Sequence, residues 1–345
     1  MTDRLRLGVI GCGRIAQVAH LPAIAKADGV ELVCVSDPSR VLVESVARQY
    51  GVTAYSETVA LLDDDIDAVV IAVPDRLHLP LGLQALGAGK HVLLEKPAAS
   101  DSEQADQLVR AATAANRKLQ IGAMRRHDPG MRFAATAIGQ LGQLLTASLW
   151  YRIQGKLRAP TEAALFPPTA VDDDVRRGEA PYKADRHRYL LATHGAHVFD
   201  TMRMLIGDPS VLYAHRAEAG GDFSWHGTAR IADGALCSFE LSANVHSEYA
   251  EGIEVYGERG HVRIRSYFPF YRRTSEVRYF DEQSGEAREP EFGATDPYQR
   301  QVEAFARAIV DGTATTPSGE DGVAALRIIE AIATSAARDG EGVRL

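Results

Sequence analysis

Gly11, Gly13 and Ala16 form a G-x-G-x-x-A run, Gly11-Cys12-Gly13-Arg14-Ile15-Ala16, that follows an apolar, strand-like stretch and opens a helical one. In this setting the chemistry is phosphate binding. Gly11 permits a tight turn, Gly13 lets the backbone approach a pyrophosphate, and Ala16 allows close helix packing. The amides of Arg14 and Ile15 open the helix and present partial positive charge to an anion. Asp37 stands at the end of the second strand-like run. A carboxylate there accepts hydrogen bonds from both adenosine ribose hydroxyls and repels a 2′-phosphate, which points to NAD. Arg40, close by, leaves NADP open as an alternative. Further on, Glu95-Lys96-Pro97 closes another strand-like run. Ligands of doubly wound sheets bind beyond the carboxyl ends of the strands, which puts Lys96 at the nicotinamide end. Its ammonium can hydrogen-bond to a substrate hydroxyl and stabilise developing alkoxide character.

The elements that must position these groups can be read from periodicity. Leu5 to Ile10, Glu31 to Ser36, Ala68 to Val73, His91 to Leu94 and Leu119 to Gly122 are nearly continuous in apolar residues, as strands covered on both faces should be. Helical patterns separate them, roughly Ile15 to Ala27, Arg40 to Tyr50, Leu77 to Ala88 and Ser102 to Ala115, with Asp101 or Ser100 as N-cap of the last. This alternation predicts a Rossmann-type, doubly wound parallel sheet over residues 1–124. After Arg125 the pattern changes. Leu145, Ala147, Leu149, Tyr151 and Ile153 occupy every second position, as do Ala235, Cys237, Phe239, Leu241 and Ala243. Asp233-Gly234 and Glu258-Arg259-Gly260 read as hairpin turns. Residues 125–345 are therefore expected to form an α/β domain with a large, mainly antiparallel open sheet, and the whole chain is α/β. Asp296-Pro297 and Ser318 with Asp321 mark the starts of two closing helices. The stretch from Gly155 to Arg188, rich in Pro, Asp and Arg, has weak periodicity and reads either as a flap over the active site or as surface elaboration.

The composition excludes several classes of function. Over 345 residues the formal net charge is −8, with signs mixed along most of the chain, which gives no electrostatic pull toward nucleic acid or anionic lipid. No apolar run approaches the ~18 residues of a membrane span, and the N-terminus lacks the pattern of a secretory signal. Cys12, Cys34 and Cys237 are dispersed and odd in number, which indicates neither a disulfide framework nor a zinc cluster. A reducing cytoplasm is the expected location.

Taken together, Gly11-x-Gly13-x-x-Ala16, Pro74-Asp75-Arg76-Leu77-His78, Glu95-Lys96-Pro97 and His197-x-x-Asp200 resemble the Gfo/Idh/MocA oxidoreductases, named for glucose–fructose oxidoreductase and inositol dehydrogenase. The resemblance spans nearly the whole chain. It implies NAD(P)-dependent oxidation or reduction of a sugar, cyclitol or related polyol, with Lys96 catalytic and His197 the acid/base. It also implies that the Pro74–Asp75 and Glu95–Lys96 turns line the cofactor with His78 beside them, and that the C-terminal sheet builds a homodimer or homotetramer. Asp75 stands where many relatives carry asparagine. Most family dehydrogenases read Asp-x-x-x-His, whereas here Thr193 precedes His197 by four positions. On a helix those two share a face, so the hydroxyl can orient the imidazole, though it cannot stabilise imidazolium as a carboxylate would. His194, His197 and Asp200 fall near metal-ligand spacing, but three residues on one helix rarely complete a site, and no metal is expected. Arg125, with Arg126 and Asp128, follows the last parallel strand and reads either as a substrate contact or as part of a salt bridge between domains. Tyr189 and His194, like His197, are candidate substrate contacts. Two other functions remain open from the residues alone: a catalytically silent NAD(P)-binding regulator, and an NAD-dependent glycosidase.

Overall fold

The computed structural model describes residues 4–154, 164–245 and 249–345. Strands β1 (Leu5–Ile10), β2 (Val30–Ser36), β3 (Thr53–Tyr55), β4 (Ala68–Ile71), β5 (His91–Glu95) and β6 (Leu119–Gly122) form one sheet in the order β3-β2-β1-β4-β5-β6. Every neighbouring pair is parallel. This is the strand order of dinucleotide-binding sheets. The run of apolar residues explains it, since β4 and β6 are buried along their whole length. Helices Arg40–Tyr50, Thr58–Leu62, His78–Gly87 and Ser102–Ala114 supply crossovers. Ser39 and Asp101 cap two of them through side-chain oxygens that accept from Leu42 and Gln104 amides.

Two details depart from the sequence reading. The first crossover is not one α-helix from Ile15 to Ala27. It is a π-helical turn, Ala16–His20, running into the short helix Leu21–Ile24. Pro22 is the cause we assign: it has no N–H to donate, and its ring crowds the Val18 carbonyl, so the helix opens by one residue just before it. β3 was not foreseen, because it is a three-residue edge strand with two exposed positions and no apolar run.

A second sheet has nine strands: β7 (Leu144–Gln154), β8 (Pro209–Ala219), β9 (Asp222–Ile231), β10 (Leu236–Val245), β11 (Ala250–Gly257), β12 (Gly260–Ser266), β13 (Glu276–Asp281), β14 (Glu286–Arg288) and β15 (Val343–Arg344). Their order is β14-β13-β12-β11-β7-β10-β9-β8-β15. β7 runs parallel to β10 and the other pairs are antiparallel, so the sheet is mixed and mostly antiparallel. Both expected hairpins are present, joining β9 to β10 and β11 to β12. The alternation sets the register: Ala147, Leu149, Tyr151 and Ile153 lie opposite Cys237, Phe239, Leu241 and Ala243, all buried. Leu145, at the start of β7, is the exception and is exposed. The helix Arg186–Ile206 covers this face, with Phe199 edge-on to Phe239 at 5.5 Å between ring centroids.

The chain forms two compact units that are not contiguous in sequence. The first gathers the chain up to Met124, a middle stretch ending at Asp185, and Tyr298–Ala324. The second takes the chain from Arg125, then Arg186–Pro297 and Ala325–Leu345. In the first unit Val302, Phe305 and Ala306 of helix Pro297–Val310 join Leu7, Val9, Val35 and Val70 in one buried cluster. Ser318 and Asp321 cap helix Gly319–Ala337 reciprocally, Ser318 N donating to the Asp321 carboxylate and Asp321 N to the Ser318 hydroxyl. Part of the Gly155–Arg188 stretch, residues 155–163, lies outside the described residues. The remainder holds the helix Asp173–Glu179 and the turn Pro181–Lys183, and helix Arg186–Ile206 then begins. Among the described residues no helix is long and apolar enough to cross a membrane.

Candidate active site

Gly11 follows β1 with φ +96°, and a Cβ built there would stand 2.5 Å from the Ala72 carbonyl oxygen. Only glycine fits that turn. At Gly13 a Cβ would meet nothing within 4 Å, so this stretch of backbone faces open space. The Gly13 carbonyl accepts from Gln17 N as the helical turn begins, and Arg14 beside it is exposed. Ala16 is fully buried. Asp37 accepts from the Cys12 amide through one oxygen and the Ser39 amide through the other, each at 2.8 Å. Burial pushes the Asp37 carboxyl upward against the pull of those two amides. Each oxygen keeps a further lone pair for a ribose hydroxyl. The glycine cradle, the helix start and the acid therefore suit a dinucleotide. Cys12, beside the cradle, is buried, and its thiol is pushed up to about 12 by burial and then by Asp37, so it is not a nucleophile.

Lys96 follows β5 and is held through its backbone. Glu95 is 5% exposed; its Oε1 lies 2.7 Å from His20 Nε2 and its Oε2 accepts from Lys96 N at 3.1 Å. His78 is buried, with Nδ1 2.7 Å from the Pro97 carbonyl and Nε2 3.0 Å from that of Val73. Burial disfavours the charged form of His78. These contacts tie the Lys96–Pro97 turn to the end of β4, where Pro74 and Asp75 are half-buried. Glu95 and His78 were both expected to bind cofactor. Their side-chain polar atoms are engaged with His20, the Lys96 amide and backbone carbonyls.

Burial alone would raise the Glu95 carboxyl, but the hydrogen bond and charge of His20, then Lys96 and His78, outweigh it and hold it below the usual range. A lowered folded-state pKa means stability that is fully present above the unfolded value of about 4.3 and lost as pH falls through the folded one. Urea denaturation from pH 5 downward is therefore expected to show a steeper loss of stability for the native protein than for Glu95→Gln. Equal slopes would remove this assignment.

In the second unit, Tyr189, Thr193 and His197 follow one another at i, i+4 spacing on helix Arg186–Ile206, and all three are half-buried. His194 lies off that row: it is buried, with Nδ1 3.2 Å from the Tyr151 hydroxyl on β7. Gly195 lets the helix approach its neighbour, since a Cβ there would stand 3.0 Å from Ile329. Asp200 is buried and receives Arg126 through two nitrogens, Nε at 2.9 Å and Nη2 at 2.8 Å. His194 and Asp200 are thus both engaged, and no group of three or more potential ligands is placed to hold a metal among the described residues.

Arg125 is buried and pairs with Glu251 and the Tyr249 hydroxyl, which itself donates to Glu251. The partner lies in the same unit as Arg125, so this is not a bridge between units. Burial disfavours the guanidinium charge, but Glu251, then Tyr249 and Tyr151, hold it above its ordinary pKa. Asp128 caps helix Pro129–Ile138 at the Met131 amide and also receives Ser275 N. Sequence reading missed Glu251. Its signal was an acid at the inward parity of β11, in step with Ile253 and Val255.

Residues 5–123 match the oxidoreductase family with an NAD-binding Rossmann fold, and residues 188–345 match the C-terminal alpha/beta domain of the same Gfo/Idh/MocA family. The chain belongs to this family and is an NAD-binding oxidoreductase. It is 29% identical over 346 residues to inositol 2-dehydrogenase of Rhizobium meliloti (strain 1021), covering 96% of this chain and 97% of the relative. It is 25% identical over 335 residues to dTDP-3,4-didehydro-2,6-dideoxy-alpha-D-glucose 3-reductase of Actinomadura kijaniata, covering 96% of both. A levoglucosan dehydrogenase solved with NADH and levoglucosan shares the fold, with a TM-score of 0.80 at 22% identity over 99% of each chain.

Proposed function

We propose that this chain is an NAD-dependent dehydrogenase that oxidises a secondary hydroxyl of a sugar, cyclitol or related polyol, or reduces the matching carbonyl. The observation that carries this reading is the cage around the Lys96 turn: a buried Glu95–His20 pair and a buried His78 fix the backbone of one lysine at the carboxyl end of the sheet. When bound, NAD supplies the hydride acceptor. Lys96 donates a hydrogen bond to the reacting oxygen and steadies its developing negative charge. His197 takes the proton from the hydroxyl oxygen as the hydride leaves the carbon that bears it, with Thr193 orienting the ring. Tyr189 contributes to the substrate wall. We place the enzyme in the cytoplasm, in keeping with three buried free thiols, and assign it a homodimer or homotetramer built on the nine-stranded sheet.

The test is absorbance at 340 nm with NAD and a panel of cyclitols, monosaccharides, anhydrosugars and lactones. Stoichiometric NADH from one class is the expected result. NADH binding with no turnover of any substrate would favour a regulator instead. Release of aryl alcohol from aryl glycosides with no net NADH would favour a glycosidase.

A further inference from the structure

Residues 166–183 come from the middle of the chain, yet they lie in the cofactor unit and are fastened to it at four places. Ala170 N donates to Gln17 Oε1 and its carbonyl accepts from Gln17 Nε2, both at 3.0 Å. Thr169 Oγ1 donates to Gln49 Oε1 at 2.8 Å. Ser39 Oγ donates to Asp172 Oδ2 at 2.6 Å. Glu179 pairs with Arg76, whose guanidinium also lies 4.2 Å from the centre of the Tyr182 ring. Gln17, Ser39 and Arg76 follow β1, β2 and β4, so this strap crosses the sheet edge along which a dinucleotide lies.

At its adenosine end the strap meets the turn that decides between the two nicotinamide cofactors. A 2′-phosphate there needs hydrogen-bond donors and positive charge, and the local candidates are the Ser39 hydroxyl and Arg40. Both are already directed at acids. Ser39 donates to Asp172 and accepts from Leu42 N, and Arg40 pairs with Glu44 on the next helical turn. Asp37 stands two residues before Ser39 and accepts its amide.

We propose that Asp172 is a specificity-determining residue: with Asp37 it forms a two-carboxylate wall at the adenosine ribose that admits NAD(H) and turns away the 2′-phosphate of NADP(H). This concerns cofactor choice and stands apart from the roles given to Lys96 and His197. The charge on Asp172 is secured by its partners, since the Ser39 hydroxyl, then the Val175 amide, hold its carboxyl below the usual range. Asp37 alone is a weaker barrier, because both of its oxygens already accept backbone amides. Asp172 supplies the second charge without disturbing them.

The experiment compares the dissociation constants of NADH and NADPH, each without substrate, from nucleotide fluorescence and displacement titrations on the full chain. Asp172→Asn removes the charge and keeps Oδ1 for the Asp174 and Val175 amides, its amide nitrogen then donating to Ser39 Oγ. We expect it to tighten NADPH about tenfold and to leave NADH within about twofold, the scale of one partly screened like charge beside a phosphate. Asp172→Ala, which also releases the Ser39 hydroxyl, tightens NADPH at least as much. Asp173→Asn, an exposed neighbour, shifts neither nucleotide by more than about twofold. An unchanged NADPH-to-NADH ratio in both Asp172 variants overturns the proposal. So does equal tightening of both nucleotides, or a matching gain from Asp173→Asn. Failure of the unaltered protein to bind NADH would strike the cofactor itself, which this ratio does not measure.

Discussion

Replacing Lys96 with alanine lowers kcat/KM by roughly 10²–10³-fold and leaves NADH affinity within about threefold. The magnitude is that of removing one preorganised donor from a developing oxyanion. The geometry makes the effect specific to the ammonium. The backbone of the turn is fixed by Glu95 Oε2 at the Lys96 amide and by His78 at the Pro97 carbonyl, so truncating the side chain leaves these contacts intact. Lys96→Arg does not restore the rate, because a planar guanidinium presents its donors in a different place from a compact ammonium. His197→Asn gives a loss of roughly 10²–10⁴-fold together with a flattened pH–rate profile, since it removes a proton acceptor rather than a fixed dipole. Steady-state kinetics on the identified substrate, paired with NADH titration, check both variants. Wild-type kcat/KM in Lys96→Ala would end the assignment.

Arg125→Ala is expected to destabilise the protein by about 3–5 kcal/mol, the usual cost of stranding a buried charge. Glu251, 3% exposed, loses the guanidinium that offsets its burial and keeps only the Tyr249 hydroxyl. The double variant Arg125→Met/Glu251→Leu recovers most of the loss, because it leaves no uncompensated charge. Urea denaturation of the single and double variants measures both effects. If Arg125 instead serves the substrate, KM rises in the single variant while the unfolding midpoint stays put.

How far the sequence revealed these features depended on whether the signal was local. The fingerprint, Asp37 and the apolar strands are each specified by neighbouring residues, and the parallel sheet followed from them. The inward faces of β7 and β10 were equally plain from period-two alternation. Pairings over long separations were not. Asp172 and Ser39 lie on opposite sides of five strands in sequence, and nothing in the run Asp172-Asp173-Asp174 marks one acid as a partner for a helix cap. Glu251 was visible as an oddity, an acid on an apolar parity, but its partner Arg125 stands far earlier in the chain, before β7 begins. His194 shared with His197 only the reading of a substrate contact, and its burial against Tyr151 sets it apart.

The buried cluster of the cofactor unit bears on how the protein is made. Leu7, Val9 and Val35 are among the first apolar residues synthesised, yet Val302, Phe305 and Ala306 complete the same cluster. During translation the nascent sheet exposes that greasy flank until residue 306 has cleared the ribosome exit tunnel, which gives holdase chaperones a long interval in which to engage it. A fragment ended at residue 124 would keep the flank bare permanently, so it is expected to aggregate rather than serve as a free-standing nucleotide-binding module.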